Sequence, residues 1–316
     1  MSLSSAEKFI IVNYHYVEDP RPDFSGIHPC PVREFERQVG YLAKNYMLTS
    51  VPELFRAAQE GRSGTHAAIT FDDGLRDQLE YAVPVLRNHK APATFFFITG
   101  TLEGFVPLAH KIHLLSSRMG MVEIARAFNA FLKESFPDVS ERYDIPNDRR
   151  LTADRRLHED IISANVKEML ILIPQKIRDD FFRTVASRVI GEDEAAIAGR
   201  LFMSGGEMQK LDREGFVIGS HTHYHESLER RDEAAFREDT AKAQKVFFRY
   251  LGKTPAVISY PHGRSNDATK RVLEEFRFTH GVTIERRGIT AGDDPFAIPR
   301  FDTTDMKVFL DTVRVP

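Results

Sequence analysis

Two short segments hold the residue types that hydrolytic chemistry needs. The first reads Thr70-Phe71-Asp72-Asp73-Gly74. It lies between an apolar run and a helical pattern, so its acids stand at the carboxyl end of a strand. That is where α/β folds build their sites. Neighbouring residues on extended chain point opposite ways. One carboxylate can therefore bind a metal while the other faces a nearby water, and Gly74 lets the chain turn sharply. Taken alone, the pentapeptide reads equally well as a helix N-cap with a spare acid.

The second segment, Gly219-Ser220-His221-Thr222-His223-Tyr224-His225, also follows a strand pattern. His221 and His225 are four apart, and one helical turn would place both imidazoles on one face. That spacing suits a metal. His223 lies between them and should point elsewhere. A lone histidine is usually a core or surface residue, but a pair directly after a buried strand is less ordinary. Two imidazoles and one carboxylate would fill three positions on a metal and leave the fourth to water, the layout of a catalytic site. A second carboxylate can then take the water's proton. Zinc is the default for this ligand set; cobalt, nickel or iron tolerate the same donors.

The elements around these segments must place them at one end of a sheet. Apolar runs at 9–13, 67–71, 93–98, 217–219, 257–260 and 279–282 predict strands. They are almost continuously apolar, as parallel strands buried on both faces should be. Between them, Val32, Phe35, Val39 and Leu42 keep a helical spacing. Ser50-Val51-Pro52-Glu53 and Ser204-Gly205-Gly206-Glu207 read as capping boxes. Segments 232–250 and 267–276 read as further helices. This alternation predicts a parallel α/β sheet or barrel. Residues 101–200 break the rhythm. They hold helical spacings such as Val122, Ile124, Phe128 and Leu132, and predict a mainly helical insertion that either packs on the barrel or forms a lid. The expected organisation is a barrel from 1–100 and 201–316 with the insertion at 101–200.

Bulk properties narrow the function. The 316 residues are 42% hydrophobic and 28% charged, an ordinary globular composition. A net charge of −3 gives nucleic acid no basic surface. No apolar run reaches the ~18–20 residues of a membrane span. Cys30, the one cysteine, sits between Pro29 and Pro31 with no activating group, which excludes an internal disulfide and a cysteine-based metal cluster. The polar start, Met1 to Lys8, has no signal-peptide pattern, so the expectation is a cytoplasmic protein.

Together the two clusters resemble the first and second motifs of the polysaccharide deacetylases, the NodB-homology group or carbohydrate esterase family four. Thr70 to Gly74 match Thr-Phe-Asp-Asp-Gly. His221, Thr222 and His225 match the His-Ser/Thr-any-any-His pattern, with Leu228 at a position that the family keeps apolar. Tyr14-His15, the stretch from Phe35 to Tyr46, and that from Val51 to Phe55 look like longer bacterial members. The resemblance covers roughly 1–100 and 200–300. It implies a distorted (β/α) barrel and a metal-dependent hydrolase that removes an N-acetyl group from a sugar. It further implies Asp72 as general base, Asp73, His221 and His225 as metal ligands, and Thr222 as the brace of their loop.

Two motifs depart from the family's pattern. Ser259-Tyr260-Pro261-His262-Gly263 stands where the family has Arg-Pro-Pro-Tyr-Gly, so Pro261 and Gly263 fit, Tyr260 flanks them, and the oxyanion N–H would be that of His262. Ser259 replaces the arginine that pairs with the base. Arg300, in Ile298-Pro299-Arg300, could replace that arginine from a later strand end, or could form a plain surface salt bridge. The family's C-terminal Leu-any-His is absent. His15 is the first candidate for a site histidine outside the metal set, and His262 the second. His110 and His113 would matter only if the insertion is a lid.

Two other readings compete: a non-sugar amidase acting on a cyclic amide or formamide, and a sugar-binding relative that has lost catalysis. The missing motifs favour the binder, whereas intact Asp72, Asp73, His221 and His225 oppose it. A cytoplasmic location would favour a small or precursor sugar over finished wall polymer. Partner surfaces and oligomeric state are not legible from one sequence.

Overall fold

The computed structural model describes residues 7–151, 160–228, 232–263 and 265–312. Two units divide them. The described residues of Met1–Asp19, Pro29–Phe105 and Ile197–Pro316 form the first, and those of Pro20–His28 and Val106–Ala196 the second.

The first unit is built on a parallel sheet of eight strands. They are β1 (Phe9–Tyr14), β2 (Met47–Leu48), β3 (His66–Phe71), β4 (Ala93–Phe97), β5 (Val217–Ser220), β6 (Val257–Ser259), β7 (His280–Val282) and β8 (Phe301–Asp302). Seven follow the order β7-β6-β5-β4-β3-β1-β8, and β2 pairs beside β3. The sheet curls into a distorted (β/α) barrel. One irregular segment reaches both ends: Ile298 bridges to Val282 of β7, and Phe301 pairs with Val12 of β1. The six predicted strands all appear. The two-residue strands β2 and β8 are too short to show a periodicity.

Alternation along each strand sorts the side chains into two cores. Ile10, Val12 and Tyr14 of β1, Ala67, Ile69 and Phe71 of β3, and Phe95 and Phe97 of β4 pack outward against helical residues that include Phe35, Val39, Leu86 and Met208. Phe71 and Phe95 stack with centroids 4.6 Å apart. The intervening residues Phe9, Ile11, Ala68, Phe96 and Val257 face inward with Val282 and Ile298, and helix Val51–Gln59 packs on them. Each phenylalanine so buried is worth roughly 1.5–3 kcal/mol. Continuing the inward alternation toward the carboxyl ends gives Asn13, Thr70, Asp72, His221 and Ser259. The barrel interior thus changes from apolar to polar at the end where a site is expected.

Ser204 forms a full capping box with Glu207. Ser50 caps its helix through Glu53 N–H, but the reciprocal half of that predicted box is missing because the Glu53 carboxylate pairs with Arg56 and Arg62. The described part of the second unit is helical, including Leu108–Ser135, which is interrupted at Gly120 (φ 76°), and Ile161–Leu172. Ile124, Phe128 and Leu132 are buried there, whereas Val122 faces solvent, so the apolar stripe that the spacing predicts starts two residues later, at Ile124. Among the described residues, no helix is long and apolar enough to cross a membrane.

Gly219 is a tight point of the inner core. A Cβ there would sit 2.3 Å from the Phe96 ring and 3.1 Å from Val257. Gly219→Ala should therefore destabilise the protein by about 1–3 kcal/mol, read as a lower urea midpoint; an unchanged midpoint would contradict this packing.

Candidate active site

Asp72 lies just past β3 and is 3% exposed. Arg300 meets it with both arms of the guanidinium, Nη1 donating to Oδ1 at 3.0 Å and Nη2 to Oδ2 at 2.9 Å. Asn13 Nδ2 and Ser259 Oγ also donate to Oδ2, each at 3.1 Å. Arg300 is itself 2% exposed and is held by Asn13 Oδ1, Ser259 Oγ and the Thr283 carbonyl. Burial works against an ionised Asp72. The Arg300 charge, with His221 and His15 adding, outweighs it and holds the carboxyl well below the usual range.

Asp73 turns the other way. Its backbone is left-handed (φ 74°), as is that of Gly74 (φ 70°), where a Cβ would meet the Phe97 ring at 2.6 Å. This reversal aims Asp73 Oδ1 at His221 Nε2, 3.4 Å away, and His225 Nε2, 3.7 Å away. The three side chains are buried, and their donor atoms lie within 4.8 Å of one another. No helical turn joins the histidines, contrary to the reading of their spacing. Residues 221–225 form a loop in which Thr222 (φ 66°) and His225 (φ 56°) are left-handed. Thr222 Oγ1 accepts the His225 N–H at 3.0 Å, and the two rings approach to 4.7 Å between centroids. His223 points away, its Nδ1 against Thr99 Oγ1 at 3.0 Å.

The donor set suits a divalent metal. Ligands ~2.0–2.1 Å from a tetrahedral ion stand about 3.3–3.4 Å apart, close to the observed separations. His221 Nδ1 lies 2.7 Å from the Ser259 carbonyl, which fixes the tautomer and leaves Nε2 facing Asp73. Burial disfavours a charged His221, but Asp72 and Asp73 more than offset it and raise its pKa above the ordinary value. A pocket that draws a proton onto an imidazole also draws a cation, and the two compete.

The remaining candidates separate. His15 is half-exposed, with Nε2 3.8 Å from Asp72 Oδ2. His262 adopts a left-handed backbone (φ 58°) in the turn Pro261–Gly263, and its ring centroid is 5.0 Å from that of His225. Pro261 is buried, and the Tyr260 hydroxyl donates to the Phe296 carbonyl at 2.9 Å, so Tyr260 shapes the turn from behind. His110 and His113 lie in helix Leu108–Ser135 of the second unit.

Sequence reasoning passed over Asn13 and Gln78. Asn13 is the polar end of an otherwise apolar strand, which was the available signal. Gln78 is fully buried, and its Nε2 donates to the carbonyls of Asp72 at 2.6 Å and His15 at 3.0 Å.

The chain has relatives among known proteins. A family model described as polysaccharide deacetylase matches residues 59–120 and 175–281, more than half of the chain. The chain belongs to that family, the NodB-homology group. In fold it is similar to the Streptococcus pyogenes deacetylase PplD, at TM-score 0.60 and 16% identity over 100% of both chains. It is also similar to IcaB from Ammonifex degensii, at TM-score 0.57 and 17% identity over 96% of this chain and 97% of that one. In sequence it is 24% identical over 108 residues to a Staphylococcus aureus poly-beta-1,6-N-acetyl-D-glucosamine N-deacetylase, a match spanning 31% of this chain and 37% of that protein. The chain thus spans little more than a third of the length of the curated relatives it matches.

Removing one partner from a buried ion pair leaves an uncompensated charge. Arg300→Met should cost about 3–5 kcal/mol in urea unfolding, and adding Asp72→Asn to it should recover part of that loss. Additive losses in the double variant would show that the two groups are not coupled.

Proposed function

We propose that this chain is a metal-dependent N-deacetylase that hydrolyses the N-acetyl amide of an amino sugar or glycan. The observation that carries this reading is the divergence of two adjacent aspartates. Asp73 turns toward two imidazoles, and Asp72 turns toward a buried guanidinium. Asp73, His221 and His225 would hold one divalent ion, zinc by default, with cobalt, nickel or iron compatible with the same donors. Such an ion, when bound, lowers the pKa of a water and polarises an amide carbonyl.

The chain's own residues supply the rest. Asp72 is the general base. Its Oδ2 already receives three hydrogen bonds, from Asn13, Ser259 and Arg300, whereas Oδ1 receives one from Arg300. Oδ1 therefore keeps a lone pair to accept the proton of the attacking water. Arg300 keeps Asp72 ionised and fixes its orientation at the moment of attack. The backbone N–H of His262, in the turn beside His225, is assigned to the oxygen on which negative charge develops. The leaving nitrogen needs a proton before the C–N bond breaks. His15, half-exposed beside Asp72, is the group we assign to give it. Acetate and a free amine result. A protein that merely bound sugar would have no use for a buried, ion-paired base beside three metal donors.

Acetate release from a panel of N-acetylated sugars tests this. Wild type should release acetate from at least one of them. Asp72→Asn should release it at least ~100-fold more slowly while keeping its metal. Equal rates in the two proteins, or full metal occupancy with no acetate from any N-acetylated sugar, would overturn the reading.

A further inference from the structure

The five residues that carry both metal-facing imidazoles, 221–225, belong to no helix or strand, yet each of their backbone N–H groups has an acceptor. His221 N–H donates to the Phe97 carbonyl at 2.8 Å. Thr222 N–H donates to Ser220 Oγ at 3.2 Å, and His225 N–H to Thr222 Oγ1 at 3.0 Å. The two remaining donors end on one carboxylate. Asp239 Oδ1 accepts from His223 N–H at 2.8 Å, and Asp239 Oδ2 from Tyr224 N–H at 3.1 Å.

Asp239 is 2% exposed, and it sits on the helix Glu233–Leu251, which contributes none of the site residues above. The next turn of that helix reaches the same loop, for Lys242 Nζ lies 3.2 Å from the Tyr224 hydroxyl. Phe236 fastens the helix into the core formed with Ile258 and Tyr260. A buried acid on an apolar helix face needs donors, and the loop supplies two. In return, the loop is fixed at its midpoint, between His221 and His225. Both Thr222 and His225 adopt left-handed backbone, a state that persists only where the surroundings over-determine it.

We propose that Asp239 is a positioning residue for the metal. Its carboxylate holds residues 223 and 224, thereby sets the separation of the His221 and His225 imidazoles, and so tunes affinity for the divalent ion. This rests on the reading of Asp73, His221 and His225 as metal ligands. Removing the carboxylate strips two buried N–H groups of their acceptor and lets the loop relax. Groups that orient ligands without touching the metal typically govern 10–100-fold in affinity.

The test is zinc affinity, measured by competition with a chromophoric chelator on wild type, Asp239→Ala, Asp239→Asn and Asp232→Ala, with circular dichroism confirming that each is folded. Asp232 caps the same helix by accepting Ala235 N–H and does not touch the loop, so its variant reports general loosening of the helix. Asp239→Ala should bind zinc about 10–100-fold more weakly than wild type. Asp239→Asn, which keeps one acceptor oxygen, should fall between them, and Asp232→Ala should match wild type. Should Asp239→Ala fail to fold, the near-isosteric Asp239→Asn carries the test alone. Folded Asp239 variants with wild-type affinity would overturn the proposal, as would an equal loss in Asp232→Ala. If wild type itself binds no zinc, the metal-site reading fails and this proposal falls with it.

Discussion

A carboxylate shut away from water stays ionised only with an opposite charge against it, and for Asp72 that charge is Arg300. Much of the barrel's polar end follows from this pairing. The guanidinium reaches Asp72 because the segment after β7 bridges to Val282 through Ile298 and pairs with β1 through Phe301, placing Arg300 at the barrel's closure. Asn13 and Ser259 lie on either side, each bonded to both members of the pair. Three strand ends and the closing segment thus meet on one charge pair. Such a pair adds little net stability against a well-packed apolar substitute. What it does provide is a carboxylate of fixed orientation and fixed charge at the polar end of the barrel.

The second constraint is backbone strain held in place by side chains. Asp73, Thr222, His225 and His262 all have positive φ without being glycine. Each such residue costs on the order of 1–3 kcal/mol, and their concentration around one cluster of donors is the pattern expected where geometry is maintained for chemistry. The compensation is visible locally. The Thr222 hydroxyl closes the histidine loop on itself, and the Thr222 and His223 carbonyls accept from Thr99 and Gly100 N–H. The Ser259 carbonyl orients His221. Ser259 therefore serves both halves of the site, with its carbonyl on His221 and its hydroxyl on Asp72.

Much of this was legible in the sequence. Buried parallel strands show as apolar runs, so six strands were readable within a residue or two, and so were the two clusters at their carboxyl ends. Long-range reach was harder to read. Arg300 is 228 residues from Asp72, and Ile298-Pro299-Arg300 says only that a cation follows an apolar residue. The histidine loop was misread because spacing by four is equally the signature of a helical turn, and left-handed threonine and histidine carry no sequence mark. Asp239 did leave a trace. It falls on the stripe of Phe236, Thr240, Ala243 and Phe247, where an acid is out of place unless something bonds it. Gln78 left none, because a glutamine early in a helix looks like any solvated residue.

The account turns on whether Asp73, His221 and His225 share one ion. Anomalous X-ray scattering at the zinc edge, from crystals grown with zinc, addresses that directly. A single strong peak within ~2.0–2.2 Å of an Asp73 carboxylate oxygen and of Nε2 of both His221 and His225 is the predicted result. An empty cluster in zinc-loaded crystals, or a peak that engages the histidines without Asp73, would contradict it.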